Sequence, residues 1–307
     1  MQYKKKPYAV ETACLTKRYG SREVVKQVDL RVPEGAIYGF IGQNGAGKST
    51  TLKLVTGLAK PTEGEIRLFG RSVNSPVIGR RLGVLIESAG LYRNMTAREN
   101  LVMKAKCIGL PEEKGVDQVL ETTGLSDTGK KKIKQFSMGM KQRLGVAMAL
   151  LGNPDLLILD EPLNGLDPEG IRELRQLLLR LQEEGKTIVV SSHILGELSK
   201  ISTHYGIIQS GRLVEQVTRE ELEEKCQDYY QVEVQDVKRA LPLIQENFPN
   251  VQAEVFDLQT IRVYGLADGS RLNQCLVEQQ IPVYASGFHR MDLEDYFLDY
   301  IGGEAHV

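Results

Sequence analysis

A glycine-rich segment at residues 42–50 limits the folds that this chain can adopt. It matches the pattern G-x-x-x-x-G-K-[ST] at every fixed position and follows an apolar run over 36–41. Its nine residues, called the phosphate loop below, are Gly42, Gln43, Asn44, Gly45, Ala46, Gly47, Lys48, Ser49 and Thr50. Residues 51–55 can begin a helix, so we predict a buried strand, the loop and a helix in succession.

The residue types of the phosphate loop suit a nucleotide. Glycine takes positive φ and lets the backbone approach a phosphate without an intervening Cβ. Successive N–H groups then form an anion-binding nest at the positive end of the following helix. The Lys48 ammonium can reach the β- and γ-phosphates, and the Ser49 hydroxyl can bind Mg²⁺. We therefore predict a nucleotide site.

Composition and charge argue against several classes of protein. The 307 residues carry a net charge of −1, unlike the basic field of a dedicated nucleic-acid binder. The four cysteines are widely separated, which indicates reduced thiols rather than disulfides or a zinc site. No apolar run approaches the ~18 residues of a membrane span. No apolar segment follows the lysines at 4–6, so they do not begin a signal peptide. We expect a cytoplasmic protein.

Alternating helix and strand patterns predict an α/β core with a mixed, mainly parallel β-sheet. Continuous apolar runs at 156–160 and 187–190 indicate buried parallel strands. The apolar face of residues 168–181 indicates a helix between them. A helical subdomain is expected over about 90–150, with a capping box at Thr96–Glu99. These patterns place the phosphate loop in a large α/β domain.

The pattern changes near residue 221. Strand alternation is seen at 229–234 and 260–264, and helical spacing at 269–280 and 291–301. Pro242 lies inside what would be the first helix of this region, which leaves that helix open. We predict two domains, a nucleotide-binding domain over 1–220 and a small α+β accessory domain over 221–307.

Two adjacent carboxylates, Asp160 and Glu161, stand at the end of the apolar run at 156–160. Asp160 stands at the end of a strand expected beside the strand of the phosphate loop, where it can bind Mg²⁺ directly or through water. The adjacent Glu161 is placed to polarise an attacking water. The phosphate loop alone leaves kinases, GTPases and transporters open, and this pair adds a metal ligand and a group for hydrolysis.

Further motifs resemble those of ABC ATPases. Residues 135–143, Gln-Phe-Ser-Met-Gly-Met-Lys-Gln-Arg, resemble the signature sequence of that family. Asn164–Asp167 resembles its D-loop and His193 its switch histidine. Tyr19 stands where the family places an aromatic ring that stacks on adenine. The motifs follow the order of the family over residues 7–215, so the chain is identified as a member of it.

The resemblance implies a P-loop ATPase fold, ATP and Mg²⁺ as cofactors, and a head-to-tail dimer with a second ATP-binding subunit. Two ATP molecules would lie between the subunits. Ser137 and Gly139 of one subunit would then contact the γ-phosphate bound by the phosphate loop of the other. Glu161 is implied as general base, with Lys48 and His193 as the other catalytic residues.

The resemblance also implies separate transmembrane permease subunits, which would hold the chain on the inner face of the cell membrane, and no nucleic-acid partner. Glu87 stands where the family usually has a glutamine that links Mg²⁺ and water to the permease. A glutamate there resembles the bacitracin-resistance and lantibiotic-immunity branch. Ser49, Glu87 and Asp160 are accordingly the expected metal residues, and an exporter of antimicrobial peptides or drugs is the expected function.

Two alternatives stay open from the sequence. A soluble ABC-type ATPase acting on a ribosome or nucleic-acid complex usually has two cassettes or a long coiled-coil insertion, and this chain shows neither pattern. An ATPase controlled by a ligand-sensing C-terminal module would instead give residues 221–307 a regulatory role.

Overall fold

The computed structural model describes residues 7–87, 89–111, 115–193, 195–291 and Tyr296. The chain divides into two compact units, Met1–Arg219 and Glu220–Val307. The strands are β1 (Tyr8–Tyr19), β2 (Arg22–Val28), β3 (Arg31–Pro33), β4 (Ile37–Ile41), β5 (Glu63–Leu68), β6 (Arg71–Ser72), β7 (Leu82–Leu85), β8 (Leu156–Asp160), β9 (Thr187–Ser192), β10 (His204–Gln209), β11 (Arg212–Thr218), β12 (Tyr229–Val234), β13 (Gln252–Val255), β14 (Thr260–Tyr264) and β15 (Val283–His289). The α-helices are α1 (Lys48–Val55), α2 (Ala97–Cys107), α3 (Val116–Thr122), α4 (Met138–Leu150), α5 (Pro168–Glu183), α6 (Leu195–Leu198), α7 (Arg219–Lys225), α8 (Val237–Asn247) and α9 (Gly269–Glu278).

A six-stranded sheet in the first unit carries the phosphate loop. Its order is β11-β10-β4-β9-β8-β7, with parallel neighbours except for the antiparallel pair β10–β11. Every residue of β4, β8 and β9 is buried, as expected of central strands covered on both faces. The predicted mixed, mainly parallel sheet is confirmed.

The order of the central strands differs from the expected one in one respect. The strand β9 lies between β4 and β8, so Asp160 does not end a strand directly beside that of the phosphate loop. The register pairs Ile41 with Ser192, and Asp160 with Ser191. Because the carboxyl ends of the three parallel strands share one edge, the end of β9 lies between the end of β8 and the strand that leads into the loop.

A second sheet in the first unit is antiparallel, with the order β2-β1-β5-β6 and with β3 also paired to β1. Residues 28–32 alternate as one strand would, but β2 ends at Val28 and β3 begins three residues later. The Thr12 hydroxyl donates to Val28 O at 2.7 Å and accepts from Leu30 N at 2.8 Å. These bonds satisfy backbone groups at the break. Side chains from both sheets and from α1 form one core.

The helices α2, α3 and α4 lie between β7 and β8, within the segment expected to be helical. The predicted capping box is confirmed, since Thr96 Oγ1 accepts from Glu99 N at 3.2 Å and Glu99 Oε2 accepts from Thr96 N at 2.6 Å. The hydrogen bond from the Thr96 backbone favours the ionised carboxyl and lowers the pKa of Glu99. The box therefore fixes where α2 begins.

The second unit contains a four-stranded sheet of order β13-β14-β12-β15 with antiparallel neighbours. Its β-α-β-β-α-β chain order gives a ferredoxin-like arrangement. Val232 of the sheet shares a core with Ile244 of α8 and Leu272 of α9. The strands expected at 229–234 and 260–264 are confirmed.

The helix that the sequence leaves open at Pro242 is present, and the last expected helix lies mostly outside the described residues. The helix α8 runs through Pro242, even though proline supplies no backbone N–H there. The helix expected over 291–301 falls outside the described residues, apart from Met291 and Tyr296. In the described part of the chain, no helix has both the length and the apolar character needed to cross a membrane.

Candidate active site

The phosphate loop leaves the carboxyl end of β4 and runs into α1, as predicted from the sequence. A Cβ on Gly42 would lie 2.5 Å from Ile208 O. Gly47 caps α1 with φ 110°, and a Cβ there would lie 2.9 Å from Val24 O. Glycine is required at both positions. The loop is thus wrapped around the amino end of α1, where N–H groups and the helix dipole favour an anion.

The Lys48 side chain lies over the phosphate loop and is only 5% exposed. Its Nζ donates to Gly42 O at 2.6 Å and to Gln43 O at 3.3 Å. The same Nζ is 3.3 Å from Glu161 Oε1. An ammonium held between the loop and a carboxylate is in reach of a phosphate that the loop binds, and its three donors can be shared.

Ser191 of β9 contacts both acidic residues at the end of β8, through the carboxylate of Asp160 and the backbone N–H of Glu161. Ser191 Oγ donates to Asp160 Oδ1 at 2.5 Å and accepts from Glu161 N at 2.9 Å. Glu161 has φ 49°, in the left-handed region. Such a conformation costs about 1–3 kcal/mol at a non-glycine residue. The bonds from Glu161 N to Ser191 Oγ and, at 3.2 Å, to Ser191 O help to offset that cost.

His193 contacts the free end of the Glu161 side chain. The Nδ1 atom of His193 is 2.8 Å from Glu161 Oε2, and the two side chains are 40% and 21% exposed. An ionised carboxylate only accepts hydrogen bonds, so His193 must carry a proton on Nδ1 to make this contact. His193 and Lys48 therefore hold opposite oxygens of one carboxylate.

The residues present fit a nucleotide with Mg²⁺ better than a metal ion alone. Ser49 lies in the first turn of α1, and Asp160 is 8% exposed at the end of β8. Within the described ranges, no group of three or more His, Cys, Asp or Glu side chains is placed to hold a metal. Mg²⁺ in nucleotide sites takes one or two protein oxygens and completes its shell with phosphates and waters. A hydroxyl and one carboxylate meet that need.

Glu87 contacts a lysine rather than the other expected metal residues. It follows β7 with φ 62° and forms an ion pair with Lys53 of α1. Their hydrogen bond raises the pKa of Lys53. Among the described residues, Glu87 makes no hydrogen bond to Ser49 or Asp160. The pair is partly exposed, so it adds little stability, but it places a positive charge beside Glu87.

Tyr19 ends β1 with a ring that is 53% exposed. Lys17 Nζ lies 4.9 Å from the ring centroid. An exposed ring at this point is available for stacking on a base.

The signature residues lie beside the D-loop of the same chain. Ser137 caps α4, and its Oγ accepts from Met140 N at 3.2 Å. A Cβ on Gly139 would lie 3.9 Å from Leu166 Cδ2. Within the described residues, no hydrogen bond or ion pair joins Ser137 to the phosphate loop. The structure thus brings Lys48, Glu161 and His193 together and leaves the signature residues outside that cluster.

Two contacts of the site were not found from the sequence. The sequence predicts a strand at 187–190 and assigns no role to Ser191 after it, although a hydroxyl at the carboxyl end of a central strand is a signal for a partner of neighbouring groups. Lys53 lies five positions after Lys48, and no motif or spacing connects it with Glu87. Both contacts depend on neighbours that only the fold brings together.

Comparisons with known proteins agree with this geometry. Residues 25–164 match the family model described as ABC transporter. The chain is 45% identical over 298 residues to the bacitracin transport ATP-binding protein BcrA of Bacillus licheniformis, covering 96% of this chain and 97% of that protein. It is 43% identical over 200 residues to the lantibiotic transport ATP-binding protein SrtF of Streptococcus pyogenes, covering 65% of this chain and 86% of that protein.

A solved structure of a dimeric ATP-binding cassette, in a post-hydrolysis state with ADP and Pi, matches with a TM-score of 0.61 and 27% identity. The match covers 68% of this chain and 98% of that one. Similarity to BcrA over nearly the whole of both proteins extends the relationship to the second unit. The chain therefore belongs to the ABC transporter family, as an ATP-binding subunit that hydrolyses ATP.

Proposed function

We propose that this chain is the ATPase subunit of an exporter that protects cells from antimicrobial peptides or related drugs. The observation that carries the hydrolytic part is the contact of Glu161 with both Lys48 and His193 beside the phosphate loop. The substrate class is supported by the relatives named for bacitracin and lantibiotic transport. The similarity to BcrA spans both units, which favours a transporter over a soluble ATPase that acts on ribosomes or nucleic acid.

In the proposed reaction, the phosphate loop binds ATP and Lys48 contacts its β- and γ-phosphates. Ser49 and Asp160 would hold Mg²⁺, which neutralises phosphate charge when bound. Glu161 accepts the proton of the attacking water, and His193 keeps that carboxylate oriented. Lys48 Nζ now contacts two loop carbonyls and Glu161, so one of these three contacts would be replaced by the phosphate.

A second copy of the chain would complete each ATP site. Ser137 and Gly139 lie at the amino end of α4, which is suited to an anion. These residues make no hydrogen bond or ion pair with the phosphate loop in the described part of their own chain, so a γ-phosphate contact would be made on another subunit. The similarity to a dimeric cassette with ADP and Pi supports this arrangement.

We further propose that separate permease subunits hold the dimer on the inner face of the cell membrane. The first domain, 1–220, would supply ATP hydrolysis. The second, 221–307, would be an accessory domain of the same exporter. A ferredoxin-like arrangement occurs in proteins of many functions, so it does not by itself identify a ligand for this domain.

The substrate class can be tested with a deletion strain and a panel of bacitracin, lantibiotics and small-molecule drugs. Loss of the gene should increase susceptibility several-fold to at least one peptide antibiotic, because export would stop. The wild-type gene should restore resistance, and a K48A gene expressed at the same level should not. Unchanged susceptibility across the panel would count against the proposed substrates while leaving ATP hydrolysis unaffected.

The replacement E87Q tests the role of Glu87. It removes the charge that Lys53 pairs with and introduces an amide. We expect the variant to hydrolyse ATP but to confer altered resistance in cells. The control E65Q removes another exposed carboxylate, which pairs with Arg67 at 3.2 Å. Resistance equal to that of the wild type would show that Glu87 has no special part in coupling.

A further inference from the structure

His193 stands between two elements that differ greatly in how they are held. Before it, β9 is a fully buried central strand paired on both sides. Shortly after it comes α6, a single turn from Leu195 to Leu198. So short a helix has little stability of its own and depends on tertiary contacts. His193 therefore lies between a firmly held strand and a short helix whose position depends on its contacts with other elements.

Glu197 joins α6 to the long helix α5. Arg175 Nη1 donates to Glu197 Oε2 at 2.8 Å, and the two side chains are only 24% and 19% exposed. By contrast, the pair between Arg172 and Glu169 on α5 spans 3.9 Å with side chains 62% and 74% exposed. A charge-assisted bond that is largely removed from water is stronger and better oriented than an exposed pair.

The second partner of Glu197 does not reach another element. Lys200 Nζ donates to Glu197 Oε1 at 2.6 Å, three residues along the same segment. Lys200 can neutralise the carboxylate but cannot tie α6 to α5. Among the described contacts of Glu197, that tie is made by Arg175, and loss of Arg175 would still leave Glu197 a cationic neighbour.

The helix α5 is itself well anchored. Asp167, the last D-loop residue, caps it by accepting from Gly170 N at 3.1 Å. Near its other end, Gln182 Nε2 donates to Gly35 O at 2.9 Å. Leu174 and Leu178, on either side of Arg175, are fully buried. Arg175 therefore extends from a helix that is held at both ends and that directly follows the D-loop.

We propose that Arg175 is a positioning residue, which acts through Glu197 to hold His193 against the Glu161 carboxylate. The inference rests on the proposed roles of Glu161 and His193. It also connects the D-loop helix with the switch histidine inside one subunit. A misplacement of about 1 Å at a reacting group can cost ~10²-fold in rate, so a tie of this kind has a measurable effect.

The test compares R175M and E197Q with the control R172M, which removes an arginine one turn earlier on the same helix. We expect R175M and E197Q to lower kcat roughly tenfold or more with little change in KM for ATP, and R172M to retain the wild-type values. The charge-reversed pair R175E/E197R should recover part of the loss. Values of kcat for R175M and E197Q equal to that of R172M would overturn the proposal.

A double-mutant cycle with His193 separates positioning from a general structural effect. If Arg175 acts through His193, R175M should lower kcat much less in an H193A background than in the wild type. Equal fold losses in both backgrounds would contradict the proposal, and E197Q gives the same test if R175M folds poorly. If K48A abolishes turnover while R175M behaves as R172M, only this inference fails and the proposed function stands.

Discussion

The variant K48A should lose ATP hydrolysis by at least ~10²-fold, as expected when a charged donor to the transferred phosphate is removed. The ammonium is buried over the phosphate loop, and no other side chain contacts both Gly42 O and Glu161 among the described residues. The variant should also bind ATP less tightly, and steady-state ATPase rates and binding of a fluorescent ATP analogue would measure the two losses. Thermal unfolding should be recorded beside them, because Glu161 also loses a partner.

The matched control for this variant is K186A. Lys186 Nζ donates to Asn153 Oδ1 at 2.7 Å, and the residue directly precedes β9. The K186A change therefore removes a hydrogen-bonded ammonium at the edge of the sheet where the parallel strands begin, opposite the phosphate loop. Turnover by K48A at the rate of K186A would rule out the assigned role of the loop lysine.

The variant E161Q should keep ATP binding, lose hydrolysis by ~10²–10⁴-fold, and form a stable dimer with saturating ATP. The amide keeps the size of the side chain, and its oxygen can still accept from Lys48, but it cannot take a proton from water. ATP held between two subunits would then persist. Size-exclusion chromatography with and without ATP would detect the shift.

Two controls make the E161Q result specific. E173Q removes a carboxylate of α5 that pairs with Arg143 at 3.5 Å, and it should behave as the wild type. The double variant K48A/E161Q should remain monomeric, because it no longer binds ATP. An E161Q protein that binds ATP and still elutes as a monomer would contradict the shared site.

Much of the site follows from local sequence. The phosphate loop is recognised within nine consecutive residues, in which glycines, a lysine and a hydroxyl residue stand at fixed spacing. The capping box at Thr96 and the apolar run before Asp160 are local in the same sense. Short-range hydrogen bonding and burial decide these features, so a single sequence is sufficient to predict them.

Other features depend on which elements become neighbours. The position of β9 between β4 and β8 brings Ser191 to the Asp160 carboxylate and to the Glu161 backbone, and no spacing in the sequence indicates that order. The ion pairs of Glu87 and Glu197 likewise join residues from separate elements. Pro242 is a case in which local propensity disfavours a helix that is present, because tertiary packing in the second unit retains α8.

The side-by-side register of β4, β9 and β8 has a consequence for how this protein tolerates change in length. The loop, Ser191, His193 and the two carboxylates all leave consecutive strands at one edge, with Ile41 opposite Ser192 and Asp160 opposite Ser191. A one-residue deletion inside any of these strands would turn every side chain on one side of the deletion to the other face of the sheet. Insertions should therefore be accepted in the connections at the opposite edge of the sheet and rejected within the three strands, whatever residues they add.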